Sequence, residues 1–383
     1  MNWKQIEAFI TQHQNEYLDF LYRICSYEAR AYDKETLDAM VVYIAEFAKS
    51  KGFSVTRKPM VACGDFLTIE INPGATKACL FQAHMDTVHD KGAFGNPPVQ
   101  DTGDRFVGPG VIDCKGGIAI ALLTMKALLE NGYNRHVRLI LTSDEEISNI
   151  LGGAEEIAFI QEQAKGFPCA INCETAEGDE VVLGRKGIVK YRLQVQGIGG
   201  HSGKKYFEAK NAILEAAHKI IALHGESQPG GTTYSCNVIQ AGNAPNSIPD
   251  SCTITVDIRA LTPEAIQIAK DTVERIAGTS YIGDTHCIAE LLSIRPPMVR
   301  TPETQALFEK ILAACHKYDL GSLTPKETGG GSDSCYTQAA GVTSICGFGA
   351  SGRYQHTNQE YLDKPSVALR AKILSAYLLE EAL

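Results

Sequence analysis

Clustered positive charge is missing from this chain. No run of Lys or Arg exceeds two, and 36 basic side chains face 45 acidic ones for a net charge of −9. A nucleic-acid or anionic-membrane partner therefore has little electrostatic support, and neither is expected. Long apolar runs are absent as well: nowhere do 18 apolar residues follow one another, so no membrane span is expected. The opening MNWKQIEAFITQHQNEYL alternates apolar and polar residues at helical spacing. It lacks the basic start, unbroken apolar stretch and small-residue cleavage site of a secretory leader. The 12 cysteines include no CxxC pair, and a chain of 383 residues needs no stapling, so reduced thiols in a cytoplasm are expected. There is no GxxxxGK[ST] loop and no GxSxG elbow. Gly347-Phe348-Gly349-Ala350-Ser351-Gly352 matches GxGxxG, but no long βαβ unit follows it, which speaks against dinucleotide binding. Repeats and low-complexity segments are absent too.

What remains is ordinary globular composition, 44% hydrophobic and 21% charged, in a length that suggests about two domains. Residues 2–24 and 33–51 carry helical periodicity, the second closed by Gly52. Strand-like runs follow at 53–57, 66–71, 78–83 and 137–142, the last two nearly all apolar, as central strands covered on both faces are. Between them 115–130 (KGGIAIALLTMKALLE) reads as a helix that Asn131-Gly132 ends. This alternation indicates an α/β layer with a parallel component. Near residue 186 the pattern changes. Strand 188–196, helix 208–224, strands 233–240 and 252–259, helix 263–277 and strand 285–292 form the β-α-β-β-α-β order of a ferredoxin-like unit. After Arg295-Pro296-Pro297 come helix 302–317, a Gly-rich loop, a strand at 342–347 and a helix from Pro365. The expected fold is α/β with two domains: a catalytic α/β/α domain in two pieces, 1–185 and 295–383, and an inserted α+β domain at 186–294.

Five stretches put metal-type ligands at strand-to-loop transitions. In Phe81-Gln82-Ala83-His84-Met85-Asp86 an apolar strand ends in His-x-Asp, and residues two apart on an extended chain point the same way. Asp86 could then accept the second ring N–H of His84 and fix its tautomer. Asp113, in GPGVIDCKGG ahead of the apolar helix, fits either a helix-capping carboxylate or one that bridges two cations. Asp144-Glu145-Glu146 follow strand 137–142, and three consecutive acids there repel unless solvated or neutralised by cations. Glu174 and His356 lie beyond two further apolar stretches. Each stretch alone also fits a structural role. Together they supply nitrogen and oxygen ligands of the kind that suit Zn and also accommodate Mn or Co.

The series HMDT, GxGxxDxKGG, DEE, the isolated Glu174, GGHSG, GGGSD and a final His resembles the M20 family of metallopeptidases. The likeness runs over essentially the whole chain. Within the family it looks most like the carboxypeptidase G2 type, because GGGSD is followed by GFGxxG and then a His.

The resemblance implies two Zn2+ ions per subunit, with Co2+ or Mn2+ as substitutes. It implies His84, Glu146, Glu174 and His356 as terminal ligands, Asp113 as the bridge and Asp86 as the orienter of His84. It makes Glu145 the general base, taking a proton from the attacking water and returning it to the leaving amine. His201 of GGHSG would cross from a partner subunit to stabilise the oxyanion, a role worth about 2–4 kcal/mol for comparable donors. Asn246 and Arg259 would bind the substrate carboxylate, for which a guanidinium fork is suited. Gly330 would let the backbone approach the substrate closely. The inserted domain would serve as lid and dimerisation module of a homodimer. The activity implied is hydrolysis of an amide bond next to a free carboxylate, in a small peptide or N-acyl amino acid. An N-acyl-amino-acid deacylase, a peptidase T-like aminopeptidase and a non-catalytic binding protein on the same fold are the rivals. Three departures bear on this. Cys114 stands where many relatives carry Asp or Met. DEEISNILGG lacks an immediate Gly. Glu174 sits in CETA where deacylases usually read EPT, which weakens the deacylase reading.

Overall fold

A computed structural model describes residues 2–175 and 177–382. The chain forms two compact units, one of residues 1–183, 300–327 and 332–383, the other of 184–299 and 328–331.

The first unit opens with α1 (Trp3–Cys25), whose first turn is capped by the Asn2 side chain accepting the Lys4 N–H. Its buried Ile6, Ile10, Tyr17, Leu21 and Ile24 recur at helical spacing and form one inward stripe. Then come α2 (Lys34–Ser50), β1 (Ser54–Lys58), β2 (Phe66–Ile71), β3 (Lys77–His84), α3 (Gly116–Glu130), β4 (His136–Thr142), α4 (Gly153–Ala164) and β5 (Cys169–Asn172). Helix α4 is not among the elements expected from the sequence, and β5 is only four residues long.

The second unit follows as β6 (Gly187–Gln196), α5 (Ala212–Gly225), β7 (Thr233–Ala241), β8 (Ser251–Ala260), α6 (Pro263–Gly278) and β9 (His286–Arg295). The first unit is completed by α7 (Pro302–Lys317), α8 (Ser334–Ala339), β10 (Thr343–Ile345) and α9 (Pro365–Glu380).

The main sheet of the first unit has the order β1-β2-β4-β3-β5-β10. Strands β4, β3, β5 and β10 run parallel, and β1 and β2 join antiparallel. The near-continuous apolar runs of β3 and β4 thus lie at the centre of the sheet. Alternation splits each strand between two faces. Phe81, Leu139 and Ile171 enter the large core formed with α1, α3 and α9. On the opposite face Phe66 packs on Phe159 of α4, ring centroids 5.2 Å apart, giving three α/β/α layers. Helix α3 is apolar all round and buried almost throughout because it packs on α1, α9 and the main sheet.

In the second unit the sheet order is β7-β8-β6-β9, all antiparallel, with α5 and α6 on one face over Val189, Tyr191, Ile254 and Val256. Helix α5 starts at Ala212, not at 208: Asn211 accepts the Ile213 and Leu214 N–H groups, and this cap fixes the start. Among the described residues no helix is long and apolar enough to cross a membrane.

The close seat of α3 depends on Gly117. A Cβ there would lie 2.0 Å from the Cys173 carbonyl oxygen and 2.7 Å from its Cβ. Gly117→Ala should therefore cost about 1–3 kcal/mol, the range for overpacking a tight core. Urea unfolding of the variant beside the wild type measures it.

Candidate metal centre

Parallel pairing places the carboxyl ends of β3, β4, β5 and β10 along one edge, where ligand sites of α/β sheets form. His84 is the last residue of β3, Glu145 and Glu146 follow β4, and Glu174 follows β5. Asp113 arrives from the turn before α3, and His356 from the loop beyond β10, at a φ of 62°.

Asp113 lies between the two imidazoles. Its Oδ1 is 3.2 Å from His84 Nε2 and its Oδ2 is 3.2 Å from His356 Nε2. His84 Nε2 is also 3.5 Å from Glu174 Oε1, and His356 Nε2 is 3.3 Å from Glu146 Oε2. The ligand atoms of His84, Asp113 and Glu146, and those of His84, Cys114 and Glu174, lie within 4.8 Å of one another. The side chains of His84, Asp113, Glu146 and Glu174 are nearly enclosed, whereas His356 is more than half exposed and marks the open side.

Fully buried Asp86 fixes the back of the site. Its Oδ1 lies 3.3 Å and its backbone oxygen 3.2 Å from His84 Nδ1, which leaves Nε2 turned toward Asp113 and Glu174. The same carboxylate accepts the Glu146 N–H at 3.0 Å and the Glu145 N–H at 3.4 Å. One group therefore orients the imidazole and seats the acidic turn that follows β4.

Of the three consecutive acids, Asp144 turns inward. Its Oδ2 accepts the Leu151 and Gly152 N–H groups at 2.7 and 2.6 Å, so it holds the loop and is not directed at the ligands. Behind it Asp333 of GGGSD accepts from Asn149 Nδ2 at 3.1 Å and Thr142 Oγ1 at 3.2 Å. Cys114, noted in the sequence only as a departure from the family pattern, has a place in the site. Its buried thiol accepts the His84 N–H at 3.1 Å, and its position next to Asp113 was the available signal.

The electrostatics call for positive charge. Burial opposes a charged His84 ring, but Cys114, Glu174, Asp113 and Asp86 outweigh it and raise its pKa well above the ordinary value. Hydrogen bonds to Asp113 and Glu146 push His356 up to about 11. Burial, then the Asp113 charge, pushes Glu146 up to about 8. Burial works against the Asp113 anion, but the two imidazoles hold its pKa well below the carboxylate range. Glu146 Oε1 is buried with no hydrogen-bond partner among the described residues. Clustered carboxylates, imidazoles in fixed orientation and a spare buried oxygen fit a divalent cation, for which nitrogen and oxygen donors are the usual set.

The remaining candidates belong to the second unit. Exposed His201 pairs with Ser247 in a short antiparallel bridge, and the next residue, Ser202, donates its N–H to the Asn246 carbonyl at 3.1 Å. Arg259 ends β8 with its guanidinium already engaged: Nε and Nη2 donate to Asp257 at 2.6 and 3.2 Å, and Nη1 to the Gly329 carbonyl at 3.2 Å. The Gly330 and Gly331 carbonyls accept from Arg185 Nη1 at 3.2 and 3.1 Å.

Residues 80–380 match the protein family described as Peptidase family M20/M25/M40. The chain is 28% identical to carboxypeptidase G2 of Pseudomonas sp. (strain RS-16) over 97% of this chain and 90% of that one. It is 26% identical to the succinyl-diaminopimelate desuccinylase of Rickettsia bellii (strain OSU 85-389), over 62% of this chain and 65% of that one. The crystal structure of aminopeptidase PepT from Bacillus cereus ATCC 10987 shares the fold at a TM-score of 0.78 and 18% identity, covering 97% of this chain and 99% of that one.

Asp113→Ala removes the oxygens that face both imidazoles and should abolish stoichiometric binding of a divalent transition metal. Asp86→Ala should leave the saturating metal count unchanged while weakening affinity roughly 10–100-fold, as loss of a ligand-orienting group does. Metal analysis after equilibrium dialysis at graded free-metal concentrations reads both effects.

Proposed function

The chain belongs to Peptidase family M20/M25/M40 and is a metal-dependent hydrolase; from that premise we propose that it cleaves an amide bond adjacent to a free carboxylate, as a carboxypeptidase or dipeptidase of small peptides. The observation that carries this reading is Asp113, with one oxygen toward His84 and the other toward His356. On this reading His84, Glu174 and Asp113 would hold one metal ion, and His356, Glu146 and Asp113 a second. We assign zinc to both, with cobalt or manganese as substitutes.

When bound, such a metal pair polarises the scissile carbonyl and makes water acidic enough to attack near neutral pH. Glu145 is the group we assign to the proton. Its carboxylate takes one from the attacking water and delivers it to the departing amine nitrogen. Asp86 contributes by seating the Glu145 and Glu146 backbone and by keeping His84 Nε2 forward. His201, supplied by a partner subunit, donates to the oxyanion; its exposed position supports a role outside its own unit's core. Asn246, Arg259 and Gly330 are assigned to the substrate's carboxylate end.

Residues 1–185 and 295–383 then form the catalytic domain, and 186–294 an inserted lid that also carries dimerisation. Solvent-exposed Ile213, Leu214 and Ile221 on α5 support the dimer. A cytoplasmic setting is supported by twelve free cysteines, ten of them buried.

One observation favours a second reading. Because Asp257 already occupies two donors of Arg259, that residue has fewer left for a substrate carboxylate, which favours an aminopeptidase.

Amine release from a panel of dipeptides and N-acyl amino acids, with metal-loaded wild type beside Glu145→Ala, separates these readings. We expect release that requires a free C-terminal carboxylate, and a loss of at least 10²–10⁴-fold in kcat for Glu145→Ala with metal retained. Cleavage only where the N-terminus is free would make the protein an aminopeptidase, and bound metal with no cleavage across the panel would point to an unusual acyl group or to a non-catalytic binding protein. His201→Ala should be inactive alone and partly restored by mixing with Glu145→Ala; absence of such complementation counts against catalysis across a dimer.

A further inference from the structure

We propose that Glu360 is the positioning residue of the metal centre, holding the Asp113 turn, the His356 loop and the segment beyond His84 in one register. This rests on the reading of Asp113 and His356 as metal ligands, and it concerns a side chain that touches no metal-facing atom.

Glu360 is 1% exposed, and both of its carboxylate oxygens are used. Oε1 accepts the Ile112 N–H at 3.0 Å and the Asp113 N–H at 3.2 Å. Oε2 accepts the Gly110 N–H at 3.2 Å and lies 2.7 Å from His89 Nε2. The Glu360 backbone carbonyl adds the Gly108 N–H at 3.1 Å. Four backbone donors of the Asp113 turn thus converge on one residue, and a buried turn left without those partners would carry unpaired N–H groups at about 1–3 kcal/mol each.

Two features make this more than a structural hydrogen-bond network. Glu360 lies four residues beyond His356, and the turn between them is closed by its own N–H to Thr357 O at 3.1 Å. The residue that fixes the Asp113 backbone is therefore in the same turn as the imidazole facing Asp113 Oδ2. His89 comes five residues after His84, so its contact ties the third ligand-bearing segment to the same carboxylate. Displacing Glu360 shifts Asp113 against both imidazoles.

The chemistry also demands an acid. A carboxylate presents only acceptors, whereas the amide of Gln would turn an NH2 against N–H donors. Glu360→Gln keeps the shape and removes the fit.

The test titrates the full-length wild type, Glu360→Gln and the control Ile311→Ala with Co2+ alone. Affinity is read by competition with a chromophoric chelator, and geometry by the visible d–d spectrum. Ile311 is a fully buried residue of α7, a helix that packs chiefly on α9 and β10, so its truncation destabilises the core without removing a group of the centre. We expect Glu360→Gln to bind Co2+ roughly 10–100-fold more weakly with an altered spectrum, and Ile311→Ala to keep both wild-type affinity and spectrum despite a lower Tm. Wild-type affinity and spectrum in Glu360→Gln would overturn the proposal, as would an equal loss in Ile311→Ala. If Glu360→Gln does not fold, His89→Gln should still weaken Co2+ several-fold, and unchanged affinity there overturns the proposal. A wild type that binds no Co2+ removes the metal reading and this inference together, whereas tight wild-type binding with an indifferent Glu360→Gln removes only the inference.

Discussion

Like charges kept close together and away from water repel, and much of the first unit's construction follows from containing that repulsion. Asp113, Glu146 and Glu174 are nearly enclosed, and their Coulomb cost in a dry interior is several times that in water. The protein spaces them around two imidazoles, Asp113 taking one on each oxygen. It recruits further anions behind the site, among them Asp86 and Asp144, which backbone N–H groups neutralise. The resulting ring has nitrogen and oxygen donors facing inward and their partners facing outward, an arrangement that cations stabilise and that burial alone would disfavour.

Strand direction makes the ring possible. Parallel neighbours share a carboxyl end, so the short ligand stretches after β3, β4 and β5 meet without long excursions. Antiparallel neighbours would have sent alternate stretches to the opposite edge of the sheet. The two antiparallel strands, β1 and β2, lie at one side of the sheet and supply none of the ligands.

Much of this was legible in the residues. The apolar runs of β3 and β4 mark central strands, and His84-Met85-Asp86 at the end of one of them marks a candidate ligand with the carboxylate that orients it. The structure brings all five proposed ligands together with Asp86. What escaped did so for physical reasons. Strand β5 is too short to show a period, and α4 begins at Gly152-Gly153 without a capping side chain to announce it. Asp144 looked equivalent to its two acidic neighbours, because a sequence does not show which of three adjacent carboxylates finds backbone donors. Glu360 sat in a loop with no periodicity, its partners far away in the chain. In the second unit the Asp257–Arg259 pair escaped for a related reason. Residues two apart on a strand share a face, so an internal carboxylate stands beside the guanidinium that the family resemblance makes a candidate for a substrate carboxylate.

The order in which the ligands occur also has a temporal consequence. His84 lies in the first quarter of the chain and His356 in its last tenth, with the second unit's residues between them. On a ribosome, the second unit has all of its residues before the final stretch of the first emerges, and domains tend to fold as units as they appear. The two halves of the ring, in contrast, must wait. Until His356 and the turn behind it arrive, Asp113 has only one of its two imidazoles, so a nascent chain holds an incomplete cage and the complete candidate site is among the last features to form.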